Sequence, residues 1–215
     1  MRTMLLLAAG AIWLGLSAFV AKAEDLSAEI EAARQVYLEG VSGDKAATED
    51  AARRFEALLG QNPGNPLILA YLGSSETLLG KQAWMPWNKM NHAEKGLGLL
   101  DTALESLTAE HAGVRSRGIP VGLEVRLTAG ATFVRVPRFF HRFDKGKALL
   151  DALVADPLLA EAPKVFQASA HYWAAQAAQE DGDEARRQTL LSRAAALDPE
   201  GPEGRKARED LSAEK

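Results

Sequence analysis

Residues 51–73 read AARRFEALLGQNPGNPLILAYLG, and this stretch decides the fold class. In its first half, Ala51, Phe55 and Leu58 recur at the spacing of one helix face. The centre, NPGNP at 62–66, breaks the helix because proline has no backbone N–H to donate and glycine tolerates positive φ. Apolar residues at helical spacing resume after the break. The stretch therefore predicts two helices joined by a tight turn.

Similar helices, separated by similar breaks, are predicted along the rest of the chain. The residues predicted to cap the start of a helix are Asp44, Asn88 and Asp144, and the glycines predicted to end a helix or turn the chain are Gly60 and Gly182. The longest apolar stripe steps by four, three, four and three residues, through Ala93, Leu97, Leu100, Leu104 and Leu107. Residues 120–136 are ambiguous, because their apolar residues alternate like a strand from Val121 to Leu127 but also step like a helix from Leu123 to Val134. The helices predicted on both sides favour a helix here.

The architecture predicted from this pattern is all-α, with about eight helices arranged as antiparallel hairpins. We expect one helical domain over 24–200, since no linker interrupts it. Residues 201–215 are rich in charge, and we expect them to form a tail or a loosely packed last helix.

The order of small, large and proline residues in 51–73 resembles the junction between two tetratricopeptide repeats. Ala51 matches the small residue of a second helix, Phe55 the large residue four positions later, and Pro63 the proline that closes a repeat. The pair Leu72-Gly73 matches the next first helix. The resemblance implies a short α-solenoid of stacked hairpins with a concave surface for partners.

The match to that family is degenerate. The closing prolines Pro63, Pro157 and Pro199 are not separated by multiples of the family period of about 34 residues. The irregular stretch 81–88 and the loop 108–119 are interpreted as insertions between hairpins. An unrelated helical bundle with the same number of helices is the alternative.

Residues 1–23, MRTMLLLAAGAIWLGLSAFVAKA, have the pattern of a secretory signal peptide. Arg2 provides a positive start, an apolar run follows, and small residues at Ala21 and Ala23 suit cleavage before Glu24. An uncleaved membrane anchor is the alternative. No later apolar run is long enough to span a bilayer. The absence of cysteine suits a bacterial periplasm, which is the compartment we predict.

Composition and motifs exclude several classes of function. The net charge of −4 argues against a dedicated nucleic-acid binder. The sequence contains no HExxH, GxSxG, Walker-type or EF-hand pattern. We therefore predict neither enzymatic activity nor a cofactor.

The segment 84–92, WMPWNKMNH, is the first candidate site. Its candidate contact residues are Trp84, Trp87, Lys89 and His92. Exposed aromatic side chains can anchor a protein partner, whereas thioether and imidazole groups can bind Cu(I). A third interpretation is structural, with the two tryptophans as an apolar plug on the helices.

The second candidate site is a basic cluster interleaved with phenylalanine. Its candidate contact residues are Arg135, Arg138, His141 and Arg142. The surrounding stretch 81–148 carries 11 Lys or Arg against 6 Asp or Glu, a net charge of +5 between two acidic ends. Such a cluster could bind an anionic ligand, an acidic partner segment or lipid headgroups. An ordinary solvated helix face is the alternative, and self-association between acidic and basic regions is a further expectation.

The sequence thus predicts an exported protein-binding or scaffold module of the cell envelope, with a protein or peptide partner. The alternative is a periplasmic carrier of a small ligand or metal, such as copper or haem, that uses the Trp84–His92 segment.

Overall fold

The computed structural model describes residues 25–213, apart from the side chain of residue 112. The predicted signal peptide lies outside the described residues. The described chain is all-α, as predicted, with nine α-helices rather than about eight. None of the helices within 25–213 has the length and apolar character needed to cross a bilayer.

The helices are α1 (25–41), α2 (Lys45–Gln61), α3 (Pro66–Gln82), α4 (Pro86–Glu105), α5 (Val121–Arg135), α6 (Phe143–Ala155), α7 (Lys164–Glu180), α8 (Glu184–Leu197) and α9 (Pro202–Ala213). Short 3-10 helices occupy Ala109–Ala112, Arg138–Phe140 and Pro157–Glu161. Two-residue strands β1 (Arg115–Ser116) and β2 (Ile119–Pro120) pair antiparallel just before α5.

Consecutive helices from α2 onwards pack against each other in chain order, and α4 also contacts α5 although residues 106–120 lie between them in the chain. The odd-numbered helices also form a layer of their own, in which α3 contacts α5, α5 contacts α7, and α7 contacts α9. Tyr37 of α1 extends this layer, since its hydroxyl lies 2.8 Å from the Ser74 hydroxyl of α3. This packing is compatible with a helical repeat fold.

Glycines set the close approach within two successive hairpins. A Cβ atom on Gly73 would lie 2.7 Å from the Gly96 carbonyl oxygen, so α3 and α4 touch backbone to backbone. In the next hairpin, a Cβ on Gly130 would lie 2.9 Å from Leu150, and one on Gly146 would lie 2.7 Å from Phe133. Gly96 is therefore a helix-packing residue.

Several helix boundaries confirm the sequence analysis. The Asp44 carboxylate accepts a hydrogen bond from the Ala47 backbone N–H at 3.0 Å and caps α2. The helical interpretation of 120–136 is correct, because α5 covers Val121–Arg135. Gly182, at φ 76°, makes the turn between α7 and α8.

Other boundaries differ from expectation. Gly60 does not end α2, which continues to Gln61, and the left-handed turn is made by Gly64 at φ 79°. Asn88 does not cap α4, because Pro86 already occupies the first helical position, where its missing N–H costs nothing. Asp144 lies inside the first turn of α6, which begins at Phe143.

The apolar core has two clusters that share one helix. The first joins α1 to α5 and the second joins α5 to α9. Phe133 and Val125 of α5 belong to the first cluster, whereas Leu123 belongs to the second. At the C-terminal end, Ala207 of α9 is fully buried in the second cluster.

Candidate binding groove

A groove of about 530 Å³ lies between the C-terminal half of α3, the first turns of α4 and the end of α5. Its lining residues are Ser74, Thr77, Leu78, Gly80, Lys81, Pro86, Lys89, Met90, Ala93, Thr132, Arg135, Val136, Pro137, Phe139 and Phe140. The groove therefore brings together parts of both segments that the sequence analysis selected. Its volume is within the range of ligand-binding clefts.

Helical periodicity explains which side chains reach the groove. On α3, Ser74, Thr77, Leu78 and Lys81 share one face because they are spaced at i, i+3, i+4 and i+7. The same spacing on α4 selects Pro86, Lys89, Met90 and Ala93. The contact between Gly73 and Gly96 holds these two faces together.

Hydroxyl groups that are satisfied within the protein lie at the bottom of the groove. The Ser74 hydroxyl is 3.0 Å from that of Thr132, and Thr132 donates to the Thr128 carbonyl at 2.8 Å. Thr77 donates to the Ser74 carbonyl at 2.8 Å. Burial raises the pKa of Tyr37, whose hydroxyl is bonded to Ser74. Because these hydroxyls already have hydrogen-bond partners within the protein, they do not require one from a bound ligand.

Three exposed cations stand on the rim, namely Lys81, Lys89 and Arg135. Among residues 25–213, none of them forms an ion pair with a carboxylate. Arg135 instead lies over the Trp173 ring, 5.2 Å from its centroid. The described lining of the groove contains no Asp or Glu. The rim is therefore positively charged, and no carboxylate of the described groove lining balances that charge.

Large apolar side chains remain exposed in and beside the groove. Met90 and Phe139, which line it, are 39% and 59% exposed. Trp84 and Trp87, which flank Pro86 of the groove lining in the sequence, are 87% and 58% exposed. The interpretation of the tryptophans as a buried plug is therefore wrong. Exposed aromatic residues of this kind are typical of interaction surfaces.

The remaining predicted contact residues lie outside the groove lining. Arg138 lies over the Phe143 ring at 3.3 Å and donates to the Glu180 carbonyl at 3.2 Å. Arg142 donates to Asp101 at 2.7 Å. His141 is exposed and adopts φ 54°, a left-handed conformation that turns the chain between Phe140 and α6. The basic cluster is thus divided, with Arg135 in the groove and the two other arginines engaged elsewhere.

His92 also lies outside the groove lining. Its Nδ1 atom is 2.7 Å from the buried Glu76 carboxylate, which Lys95 contacts at 2.7 Å as well. Within 25–213, no three His, Asp or Glu side chains are placed to hold a metal ion. Among the described residues, His92 is therefore paired with a carboxylate and is not one of a group of three such side chains.

A second polar cluster, which the sequence analysis did not detect, joins the other ends of α1, α3 and α5. Glu124 is only 3% exposed and accepts hydrogen bonds from Tyr71 and Arg117. Arg117 also contacts Glu31 at 2.9 Å, and Arg34 donates to Glu31 at 2.8 Å. Burial raises the pKa of the Glu124 carboxyl. No sequence pattern marks these residues, because four separate elements contribute them.

The acid–histidine pairs Glu124 with His141 and Asp101 with His111, either of which would suit acid–base chemistry, are not formed. Glu124 lies near the start of α5, whereas His141 follows its C-terminal end. Asp101 is bonded to Arg142 and to Lys145, each at 2.7 Å, rather than to His111.

Comparison of the chain with protein-family models, with curated protein sequences and with solved structures returned no match. The groove and its surroundings are therefore the features that bear on function.

Proposed function

We propose that this chain is an exported, tetratricopeptide-like binding module of the cell envelope, and that its groove holds a segment of a protein partner. The observation that carries the proposal is the convergence of two separate segments. Lys89 of the 84–92 segment and Arg135 of the basic cluster both line one groove, although 46 positions separate them in the printed numbering.

The packing of the helices supports the repeat-like part of the proposal. A stack of hairpins places alternate helices in one layer, and α3, α5, α7 and α9 form such a layer. Gly73, one of the residues that carry the resemblance, lies at a backbone contact between α3 and α4. Small residues at such crossings are what stacked hairpins require.

The exposed apolar side chains support a macromolecular partner. Met90, Phe139, Trp84 and Trp87 are large and exposed, and a partner that covered them would bury substantial apolar surface. Residues 1–23 and the lack of cysteine support export to the periplasm.

Site-specific photo-crosslinking in intact cells tests the proposal. A benzophenone amino acid in place of Met90 should yield a discrete crosslinked product, because that side chain faces the groove opening. Val165 of α7, which is also apolar and exposed but lies outside the groove, provides the matched control. Absence of a product at Met90, or the same product at both positions, would contradict the proposal. Mass spectrometry of the periplasmic protein should find Glu24 at its N-terminus.

A small-ligand carrier is the second candidate function, and the groove volume is the observation that favours it. Native mass spectrometry of protein purified from its own cells would detect a retained small molecule. Loss of that molecule in Ala93→Trp, a change that fills the groove, would favour the carrier over the partner-binding module.

A further inference from the structure

We infer that the partner segment held in this groove carries acidic side chains next to an apolar anchor. The inference rests on the proposed function and specifies its partner. It follows from the charge of the rim and the apolar character of the walls.

The cations near the groove fall into two groups. Arg138, Arg142, Lys145 and Lys147 all contact carboxylates or carbonyl groups of the protein itself. The three rim cations have no carboxylate partner among residues 25–213. Unpaired positive charge is therefore concentrated at the groove and not spread over the whole basic region.

The two sequence stretches that carry the rim cations contain no acidic residue. Neither 77–93 nor 125–143 contains an Asp or Glu, although the whole chain has a net charge of −4. These two stretches supply every lining residue except Ser74. A positive groove in an acidic protein attracts a negatively charged segment and discriminates against a positive one.

The stability of the fold does not explain why position 89 is a lysine. Lys81 and Arg135 lie in the last turns of α3 and α5, where a cation stabilises the helix dipole. Lys89 is the fourth residue of α4, near the positive end of that dipole, and the first turn of α4 has no acidic residue. A cation there is unfavourable for the isolated fold, whereas it is useful if an acidic group arrives with the partner.

The walls between the rim cations are apolar. Leu78, Met90, Val136, Phe139 and Phe140 form most of the surface that an entering side chain would meet. The hydroxyls below them are already bonded within the protein. An apolar anchor therefore fits the interior of the groove, while the acidic groups of the same segment meet the rim.

Three short synthetic peptides, acetylated and amidated so that no terminal charge remains, test this inference by isothermal titration calorimetry. All have the same Phe-Leu-Phe core, which is flanked by glutamates, by glutamines or by lysines. We expect saturable binding of the glutamate peptide and binding of the glutamine peptide that is roughly tenfold weaker, as expected when charge-assisted contacts become neutral ones. The lysine peptide should not bind.

Substitutions of the rim cations test whether these residues bind the glutamate peptide. Lys89→Gln and the triple change Lys81→Gln, Lys89→Gln, Arg135→Gln should weaken binding of the glutamate peptide progressively. Lys164→Gln is the matched control, because Lys164 is exposed, lies in the first turn of α7 and has no carboxylate partner among the described residues. That variant should bind like the unmodified protein. A circular dichroism spectrum of each variant checks folding.

The outcomes separate this inference from the proposed function. Equal affinity for the glutamate and glutamine peptides, or no peptide binding at all, overturns the acidic partner. A crosslinked product at Met90 would still support a protein partner in both cases. The inference would also be overturned if a glutamate–glycine peptide without the core bound as tightly as the glutamate peptide. Preferential binding to phosphatidylglycerol vesicles would overturn it too. The latter result would assign the groove to a lipid surface.

Discussion

The Ser74 hydroxyl lies 3.0 Å from the Thr132 hydroxyl and joins α3 to α5 at the bottom of the groove. Tyr37 of α1 contacts the same Ser74 hydroxyl, so three odd-numbered helices meet at this point. The hydroxyl chain therefore links the α3 and α5 walls of the groove.

Thr132→Val should lower the free energy of unfolding by about 1 kcal/mol, because it removes a buried hydrogen bond and leaves Ser74 with one partner fewer. Urea unfolding measures the change. Thr189→Val is the control, since Thr189 is exposed on α8 and donates only to the Ala185 carbonyl. Equal effects in both variants would contradict a structural role for the Ser74–Thr132 contact.

Substitution of alanine for two glycines of α4 should change the stability of the protein in opposite directions. Gly96→Ala places a Cβ atom 2.5 Å from the Gly73 carbonyl oxygen and should destabilise the protein by about 1–3 kcal/mol. Gly98→Ala meets no atom within 4 Å and should stabilise it by about 0.5–1 kcal/mol, because alanine is the better helix former. Thermal unfolding of the two variants, side by side, tests the backbone contact between α3 and α4.

Trp84→Ala should change the free energy of unfolding by less than about 0.5 kcal/mol, because the side chain is almost wholly exposed. Phe55→Ala, at a fully buried position in α2, should cost about 3–5 kcal/mol. Chemical denaturation distinguishes the two. A large loss of stability in Trp84→Ala would restore the plug interpretation and weaken the case for an interaction surface.

Glu124 should make a pH-dependent contribution to stability. Burial raises its pKa in the folded protein, so the folded state binds its proton more tightly than the unfolded state does. This contribution is present below the ordinary carboxyl pKa and is lost as the pH rises through the raised value.

Glu124→Gln should consequently be more stable relative to the unmodified protein at about pH 7 than at about pH 4. Asp50→Asn should show the opposite trend, because hydrogen bonds from Arg54 and Arg53 lower the pKa of Asp50. Unfolding in urea across this pH range measures both. The same trend in the two variants would contradict the buried, proton-retaining environment of Glu124.

Local sequence patterns predicted most of the helices, because the signals that begin and end them are local. The α2–α3 hairpin follows from the spacing of Ala51 and Phe55 and from the break at 62–66. The start of α4 was missed, because Pro86 in a first turn looks the same in sequence as a proline in a loop.

The candidate site was predictable only in part. The sequence marks both 84–92 and 135–142 as unusual, but it cannot show that Lys89 and Arg135 line one groove, since tertiary packing brings them together. It also cannot show that Arg135 lines the groove whereas Arg142 contacts Asp101. That division depends on the left-handed turn at His141 and on the position of Asp101, a residue of α4.

Helix α5 contributes side chains to both core clusters, and its last residue, Arg135, stands on the groove rim. A truncation after α5 would keep most of the residues that line the groove but would expose the side of α5 that carries Leu123. The groove is therefore not a separable part of the molecule. Its α5 wall is held in place by the N-terminal and the C-terminal halves together.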